Sequence, residues 1–139
     1  MTGPVLTSDR GTRLRPPICW PLLPVPDSSG RLLYPDLEAS VRQRIEAVLR
    51  TAPGEQLMRP GFGAGLDQSI HQPNTTAFRS ELQARIASHV RAYEPRISLD
   101  HVEVMESGDT STLLVTIAYR IHEIGVASTV SLALPVGDA

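Results

Sequence analysis

The stretch "VRAYEPRISL", residues 90–99, marks the point where the hydrophobic pattern changes from helical to strand-like. Pro95 fixes its own φ angle and disfavours helical geometry at Glu94, so a helix has to end here. Before the proline, apolar residues recur every three or four positions, and after it they alternate. The pattern predicts a helix followed directly by a strand, with an acid and a base, Glu94 and Arg96, on either side of the proline.

Two helical segments precede this corner. The first has a predicted N-cap at Asp36 and ends at the Ala-Pro-Gly of residues 52–54. The second runs from about Thr75 to Tyr93, after a stop at Pro73 and an N-cap at Asn74. A short extended piece, residues 55–60, and a glycine-rich loop are expected between them. The apolar stripes are Leu37, Val41, Ile45, Val48 and Leu49 in the first helix, and Phe78, Leu82, Ile86, Val90 and Tyr93 in the second.

Three strands are expected after the corner. In the first strand the apolar positions change parity between residues 99 and 102, which predicts a bulge near Asp100 and His101. A turn at 106–111 leads to a second strand with one apolar face, residues 113–121, and a third strand follows from residue 126. The sequence thus predicts an α+β domain: two main helices packed on a small antiparallel three-stranded sheet.

The first 34 residues differ from the rest of the chain in their high proline content. Seven of the chain's prolines fall within the first 35 residues, and each one disfavours helix at itself and at its predecessor. We therefore expect an extended proline-rich N-terminal arm at residues 1–34, a single domain at 35–136, and a short tail at 137–139. The apolar part of the arm, residues 19–25, would pack on the core or on a neighbouring protein, whereas residues 1–14 fit a disordered leader.

Composition excludes several classes of protein. The net charge of −2 and pI near 6.1 lack the basic excess that nucleic-acid binding needs, so no nucleic-acid partner is expected. The lone cysteine, Cys19, permits no intrachain disulfide. No apolar run approaches the roughly 18 residues of a membrane span, and the N-terminus has no signal-peptide core. We expect no direct membrane insertion and no classical export.

The last predicted strand lacks most of the features that prevent an edge strand from pairing with another strand. Residues 125–136, "GVASTVSLALPV", carry no charge, and such a strand at a sheet edge is normally guarded by lysine, proline or a bulge. Only Pro135, near its end, guards this one. The strand is therefore a place where a partner could add a strand of its own. The candidate partner-binding positions are Val126, Ser128, Val130, Leu132 and Leu134.

The sequence shows no arrangement of residues typical of a catalytic or metal-binding site. Glu103, Glu106 and Asp109 sit around a turn, and Glu38 and Glu46 lie on the polar face of a helix, so no acid pair suited to glycoside hydrolysis stands out. The histidines at 71, 89, 101 and 122 lack metal-ligand spacing. We expect no catalytic residue, metal or cofactor. "GFGAG" lacks the ending of a phosphate loop, so Gly61, Gly63 and Gly65 are interpreted as structural loop residues.

Two stretches nevertheless resemble a known family. "LRTAPGEQLMRPGFGAGL", residues 49–66, and "YEPRI", residues 93–97, are similar to the baseplate wedge family of contractile phage tails, with relatives in type VI secretion baseplates and extracellular injection particles. "VTIAYRI" at 115–121 and the proline-rich "WPLLPV" at 20–25 extend the likeness. The resemblance covers about residues 20–135. Two departures are Gly61, where relatives often have an acid, and a longer arm richer in proline.

The resemblance implies a structural subunit. It would be clamped by larger baseplate wedge proteins, and its sheet would offer the sheath protein a template for the first sheath ring, with spike or hub proteins as further candidate partners. It also implies six copies per baseplate, assembly in the bacterial cytoplasm, and residence in the baseplate of the particle. Members have been labelled lysozyme-like, but the missing acid pair argues that this chain is not an enzyme.

The charged residues at the corner can be interpreted in two ways. Glu94 and Arg96 either tie the corner internally, or they make charge-assisted contacts with wedge or sheath proteins, which the resemblance favours. Arg59 in "MRPG" is a second candidate for such a contact, and Pro95 fixes the corner's shape. Two other functions stay open: a lysozyme-like peptidoglycan hydrolase, and a generic oligomeric binding module.

Overall fold

The structure is a computed structural model that describes residue 19, residues 25–108 and residues 111–136, apart from the side chain of Ile70. Two helices, α1 (Leu37–Arg50) and α2 (Thr76–Tyr93), precede three strands, β1 (Ile97–Glu106), β2 (Thr112–Ile121) and β3 (Ala127–Pro135). A 3₁₀ helix, Leu66–His71, lies between the two helices. This order confirms the predicted α+β class, with helices first and a three-stranded sheet after them.

Helix α1 begins and ends where the sequence predicts. Asp36 is its N-cap, and the Asp36 carboxylate accepts a hydrogen bond from the Ala39 N–H at 2.8 Å. Thr51 caps the other end, and its N–H donates to the Ala47 carbonyl at 3.0 Å. The apolar stripe is buried because every third or fourth residue faces the sheet and α2.

Helix α2 has a different N-cap from the one expected. The Thr75 hydroxyl accepts from the Phe78 N–H at 3.1 Å, so Thr75 and not Asn74 caps the helix. Asn74 instead donates through Nδ2 to Oε1 of Glu106 at 2.7 Å, joining the start of α2 to the end of β1. A local pattern could not separate two adjacent residues that both favour N-caps, since a contact 32 positions away decides between them.

The sheet is an antiparallel meander with the strand order β1-β2-β3. Its β1–β2 register shifts between Leu99 and His101, which confirms the predicted bulge. On β2 all five side chains of the predicted apolar face are fully buried: Leu113, Val115, Ile117, Tyr119 and Ile121. With the stripes of α1 and α2 they form one core between the helices and one face of the sheet.

The segment after α1 corrects one expectation. Residues 55–60 form consecutive turns rather than an extended piece, and Met58 adopts a positive φ of 62°. The turns arise because the segment folds back on its own base: the Gly54 N–H donates to the Pro60 carbonyl at 2.9 Å. The segment therefore projects from the end of α1 as a compact loop.

Little of the predicted arm falls within the described residues. Residues 1–18 and 20–24 lie outside them, as do residues 137–139, so the arm and the tail stay predictions. In the described part, Pro26 pairs with Leu32 across a turn in which the Asp27 carboxylate accepts from the Arg31 N–H at 2.9 Å. Within the described residues, neither helix has the length and apolar character needed to cross a membrane.

Candidate functional site

The corner between α2 and β1 holds a buried carboxylate. Glu94 caps the C-terminus of α2, and its backbone N–H donates to the Val90 carbonyl at 2.9 Å. Pro95 then prevents another helical turn, and β1 begins two residues after it. Glu94 is 1% exposed. A carboxylate at this depth needs a charged or hydrogen-bonding partner.

Arg96 supplies that partner. Its Nε donates to Oε1 of Glu94 at 2.8 Å and its Nη2 donates to Oε2 at 2.6 Å, so the guanidinium meets the carboxylate at two points. The Arg96 backbone N–H also donates to Oε1, at 3.1 Å. The hydrogen bond with Glu94 raises the pKa of Arg96 above its ordinary value. Arg96 therefore keeps its positive charge throughout the physiological range.

The same arginine reaches a third element. Its Nη1 donates to Oγ of Ser40 on α1 at 3.0 Å, across 56 positions of sequence. Its carbonyl accepts from the N–H of His122, just after β2, at 3.0 Å. The corner thus joins both helices and two strands. Ser40 could not be predicted as a partner of Arg96, because a single serine on the polar side of a helix carries no signal of a distant contact.

Glu94 and Arg96 differ in how much of each side chain a partner could reach. The Glu94 carboxylate faces Arg96 and the interior, whereas the Arg96 side chain keeps 36% of its surface exposed. The internal pair exists in this chain, and a partner contact at the corner stays a prediction. Any such contact would be made by Arg96, with Glu94 fixing its orientation.

The three loop glycines let the chain pass close to both helix ends. Gly63 has φ +107°, and a Cβ there would lie 2.1 Å from the Thr51 carbonyl oxygen. Gly65 has φ +62°, and its N–H donates to that same carbonyl at 3.0 Å. A Cβ on Gly61 would lie 2.9 Å from the Tyr93 hydroxyl. Side chains at these positions would push the loop away from the helices.

Arg59 lies on the exposed side of this loop. Its guanidinium carbon is 6.0 Å from the centre of the Phe62 ring, and that of Arg44 from α1 is 5.1 Å from the same centre. Phe62 is 2% exposed and packs edge-on against Tyr93 with ring centres 5.0 Å apart. The buried ring of Phe62 thus has two arginine guanidinium groups close to it at the base of the loop.

The five candidate positions on the last strand differ in what their side chains do. They share one face, which is directed towards the helices. The buried side chains contribute to the core, so a partner would meet the backbone of the strand rather than these side chains. Val130 and Leu134 are 6% and 2% exposed, Ser128 and Leu132 are half-buried, and Val126, just before β3, is 42% exposed.

The backbone of β3 leaves one row of hydrogen-bonding groups directed away from β2. The Val126 carbonyl accepts from the Ile121 N–H at 3.0 Å, and the Val136 N–H donates to the Ser111 carbonyl at 2.8 Å. Because the direction alternates along a strand and the register has no shift, the odd-numbered residues of β3 direct their N–H and C=O groups outward. Within the described residues no strand pairs with this row.

Two of the acids considered for catalysis are engaged in structural contacts. Glu106 accepts from Asn74 and lies 3.5 Å from Nη1 of Arg79. Glu38 accepts from the Ser128 hydroxyl at 2.8 Å, which links α1 to β3. Asp109 lies outside the described residues.

Two of the four histidines have identifiable neighbours. Nδ1 of His89 lies 2.8 Å from the Arg85 carbonyl oxygen, and Nε2 of His122 lies 2.6 Å from Oγ of Ser98. Over the described part of the chain, no three His, Cys, Asp or Glu side chains come together in a way that could hold a metal ion.

Comparison with known proteins gives these features a context. The model of the family described as baseplate wedge protein gp25 matches residues 35–125. Baseplate protein W of Escherichia phage P2 is 36% identical over 78% of this chain and 90% of that protein. Baseplate wedge protein gp25 of Enterobacteria phage T4 is 29% identical over 59% of this chain and 62% of that protein.

Two solved structures share the fold. A Geobacter sulfurreducens protein described as a tail lysozyme has a TM-score of 0.69 at 23% identity, covering 78% of this chain and 99% of that chain. A chain of the anti-feeding prophage baseplate has a TM-score of 0.57 at 20% identity, covering 87% and 86%. The family match spans both helices, the corner and β2, and from it we conclude that the chain belongs to the gp25 family of baseplate wedge proteins.

Proposed function

We propose that this protein is a non-enzymatic structural subunit that joins larger wedge proteins in the baseplate of a contractile particle and starts sheath assembly by strand addition. Membership of the gp25 family supports a place in a baseplate wedge. The open edge of β3 is the observation that carries the assembly step, since an unpaired row of backbone groups is a template for another strand.

The two edges of the sheet differ in how well they would accept a strand. The β1 edge is interrupted by the bulge after Leu99 and carries Asp100, Glu103 and Glu106. Bulges and charges are the devices that discourage edge pairing. The β2–β3 register has no shift, and the residues of β3 carry no charge. Among the residues that direct their backbone groups outward, Pro135 alone lacks an N–H. Strand addition is therefore proposed at β3.

The corner is proposed as a second contact, made by Arg96 to wedge or sheath proteins. Glu94 holds one side of the guanidinium, which leaves further N–H groups of Nη1 and Nη2 for an acceptor on the partner. Orientation by a buried carboxylate reduces the ordering entropy that an arginine loses on binding. Arg59 is proposed as an additional charged contact on the loop.

The proposed partners are the larger wedge proteins and the sheath protein, with spike or hub proteins as further candidates. We propose six copies per baseplate, in line with the sixfold symmetry of the anti-feeding prophage baseplate whose chain shares the fold. Assembly would occur in the bacterial cytoplasm, with no nucleic-acid partner and no direct membrane insertion. The finished protein would reside in the baseplate of the particle.

A single backbone substitution tests the strand-addition step. Ser131→Pro removes one outward N–H of β3 while leaving the groups that face β2 in place, whereas deleting residues 125–139 would also remove Val130 and Leu134 from the core. We expect Ser131→Pro to fold and to enter baseplates, but to support no sheath in electron micrographs. Ser131→Ala, which keeps the N–H, is the matched control. Normal sheath on Ser131→Pro baseplates would reject strand addition at β3.

A peptidoglycan hydrolase is the alternative of another class, favoured by the likeness in fold to the Geobacter protein described as a tail lysozyme. The structural engagement of Glu38 and Glu106 supports the non-enzymatic proposal instead. Release of soluble fragments from purified cell wall by the isolated protein, lost on a Glu106→Gln change, would establish the alternative.

A further inference from the structure

We propose that Leu57 and Met58, at the tip of the loop after α1, form an apolar plug that inserts into an acid-rimmed apolar socket on a larger baseplate protein. The inference rests on the proposed assembly function and adds to it a third contact, separate from β3 and from the corner. We refer to residues 55–60 as the tip.

The exposure of the tip is extreme. Leu57 is 90% exposed and Met58 is 98% exposed, more than any other large apolar side chain in the described part of the chain. They are adjacent in sequence and lie on one projecting loop. Two neighbouring side chains with this much apolar surface gain nothing from the fold of the chain itself, so the benefit of burying them has to come from another molecule.

The tip is also held in a fixed shape. The Gly54 N–H donates to the Pro60 carbonyl at 2.9 Å and closes its base, and the Arg59 N–H donates to the Gln56 carbonyl at 3.2 Å inside it. Oε2 of Glu55 accepts from the Ala52 N–H at 2.8 Å. A loop fixed in advance loses little conformational entropy when it binds, and that favours insertion as a rigid element.

The backbone conformation of Met58 also supports insertion into a partner. It has a φ of 62°, the one positive φ of a non-glycine residue in the described part of the chain. Glycine or asparagine would occupy this conformation more readily, so a methionine here is unfavourable both for the backbone and for solvation of its side chain. Methionine is, however, the side chain that adapts best to an irregular apolar pocket.

Charge indicates the character of the socket's rim. Arg59 is next to Met58, and Arg44 shares the Phe62 ring with it at the base of the loop. From Gln56 to Leu66 the sequence has no acidic residue, and the Glu55 carboxylate is bound to its own loop. A partner with carboxylates around an apolar pocket would complement this arrangement.

Neither of two depressions on the described surface of a second copy fits such a socket. Its groove between α2 and β1 is lined by polar, small and apolar side chains and by Arg91, which would meet Arg59 with charge of the same sign. The depression beside the 3₁₀ helix is lined mainly by polar side chains, with Phe78 among them. The occupied socket therefore belongs to a different protein.

Affinity measurements on the purified wedge complex test the plug. A Leu57→Ser, Met58→Ser variant is expected to bind the complex about 30-fold more weakly, the loss typical of a central apolar contact. Leu33→Ser is the control, since this side chain is 70% exposed elsewhere on the chain, and it should bind like the parent. Binding of the tip variant at parental strength would overturn the plug and leave strand addition untouched.

Met58→Gly separates a plug from a loop that merely needs its shape. Glycine relieves the positive φ, so the melting temperature should rise while the affinity falls. A rise in both, or an unchanged affinity, would overturn the plug. Arg59→Gln should weaken binding about threefold to tenfold and flatten its salt dependence, and an unchanged salt dependence would overturn the acidic rim.

Photo-crosslinking in purified baseplates identifies the socket. All thirteen basic residues of the chain are arginines, so lysine-directed reagents have no side chain to label. p-Benzoylphenylalanine in place of Met58 should form adducts with one apolar, carboxylate-bordered site on a larger wedge protein, whereas the same group in place of Leu33 should not. Adducts on a second copy of this chain, or scattered adducts, would overturn the proposal. If the parent binds no wedge complex at all, the assembly function fails and the plug fails with it.

Discussion

Glu94 and Arg96 act as one unit at the scale of single residues. The Glu94 carboxyl group, 1% exposed, is tolerated in the interior because two guanidinium nitrogens and one backbone N–H donate hydrogen bonds to it. Arg96 depends on this pair less, since part of its side chain is in contact with water. Losing the arginine is therefore expected to be worse for the fold than losing the carboxylate.

We expect Arg96→Ala to lower the free energy of unfolding by about 2–4 kcal/mol, because it leaves Glu94 buried without its partner. Glu94→Gln should cost about 1–2 kcal/mol, since water can hydrate the freed guanidinium. The double variant Glu94→Ala, Arg96→Ala should cost clearly less than the sum of the single alanine changes. Urea denaturation measures all of them, and strict additivity would show that the two side chains do not interact.

Partner binding at the corner needs a variant that keeps the fold. Arg96→Lys retains the charge but loses the two-point geometry, so it should destabilise the protein less than Arg96→Ala. If Arg96 contacts a wedge or sheath protein, Arg96→Lys should still weaken pull-down of that protein at temperatures where the variant is fully folded. Undiminished recovery would confine the corner to a structural role.

Gly63 and Gly54 form a matched pair. Both have positive φ, +107° and +86°, but a Cβ at Gly63 would overlap the Thr51 carbonyl whereas a Cβ at Gly54 meets nothing within 4 Å. Gly54→Ala should therefore cost about 1 kcal/mol, the backbone penalty alone. Gly63→Ala should cost more than about 3 kcal/mol, since backbone has to shift. Thermal unfolding of both variants gives the comparison, and equal losses would mean that the loop is not held against α1.

The helix and strand ends show how elements are joined. Thr75 caps α2, while Asn74 beside it links the helix to the end of β1 through Glu106. Ser40 and Glu38 connect α1 to the corner and to β3 in a similar way. At each junction a polar side chain of one element forms a hydrogen bond with a side chain of another. Hydrogen bonds as well as apolar packing therefore orient the helices on the sheet.

The two adjacent residues at the start of α2 should respond differently to substitution. Thr75→Ala removes the cap and is expected to cost about 1 kcal/mol, with reduced protection of the Phe78 amide against hydrogen exchange. Asn74→Ala should leave that amide protected and reduce protection near Glu106 instead. Hydrogen exchange followed by NMR distinguishes the two, and loss of Phe78 protection in Asn74→Ala would contradict the assigned cap.

The whole molecule is a two-layer structure in which one face of the sheet has no covering layer among the described residues. On β2 the inner side chains are fully buried, whereas Leu114 on the outer face is 37% exposed and its neighbour across β1, Met105, is 49% exposed. An open face, an open β3 edge and an apolar tip belong to one small chain. A protein with this surface is suited to being enclosed by others.

The isolated protein is therefore expected to associate with itself through β3 when its partners are missing. Sedimentation velocity should show a concentration-dependent shift towards dimers for the parent and for Ser131→Ala, because both keep the outward N–H row. Ser131→Pro should remain a monomer at the same concentrations. Dimerisation of Ser131→Pro to the same extent would place self-association on another surface.

Local sequence patterns are sufficient to predict the helices and strands and their order. Apolar spacing located both helices, Pro95 located the change to strands, and the parity change near His101 located the bulge, because all three are local consequences of backbone geometry and burial. The resemblance in residues 49–66 and 93–97 predicted the family that the comparison confirmed.

The contacts between distant side chains are visible only in the folded structure. It paired Arg96 with Ser40 across 56 residues, assigned the cap of α2 to Thr75, and folded residues 55–60 into a projecting tip where the sequence predicted an extended piece. Such contacts depend on where the packed elements bring their surfaces. A short-range pattern carries information about the conformation of each segment, but none about the neighbour that the completed core places beside it.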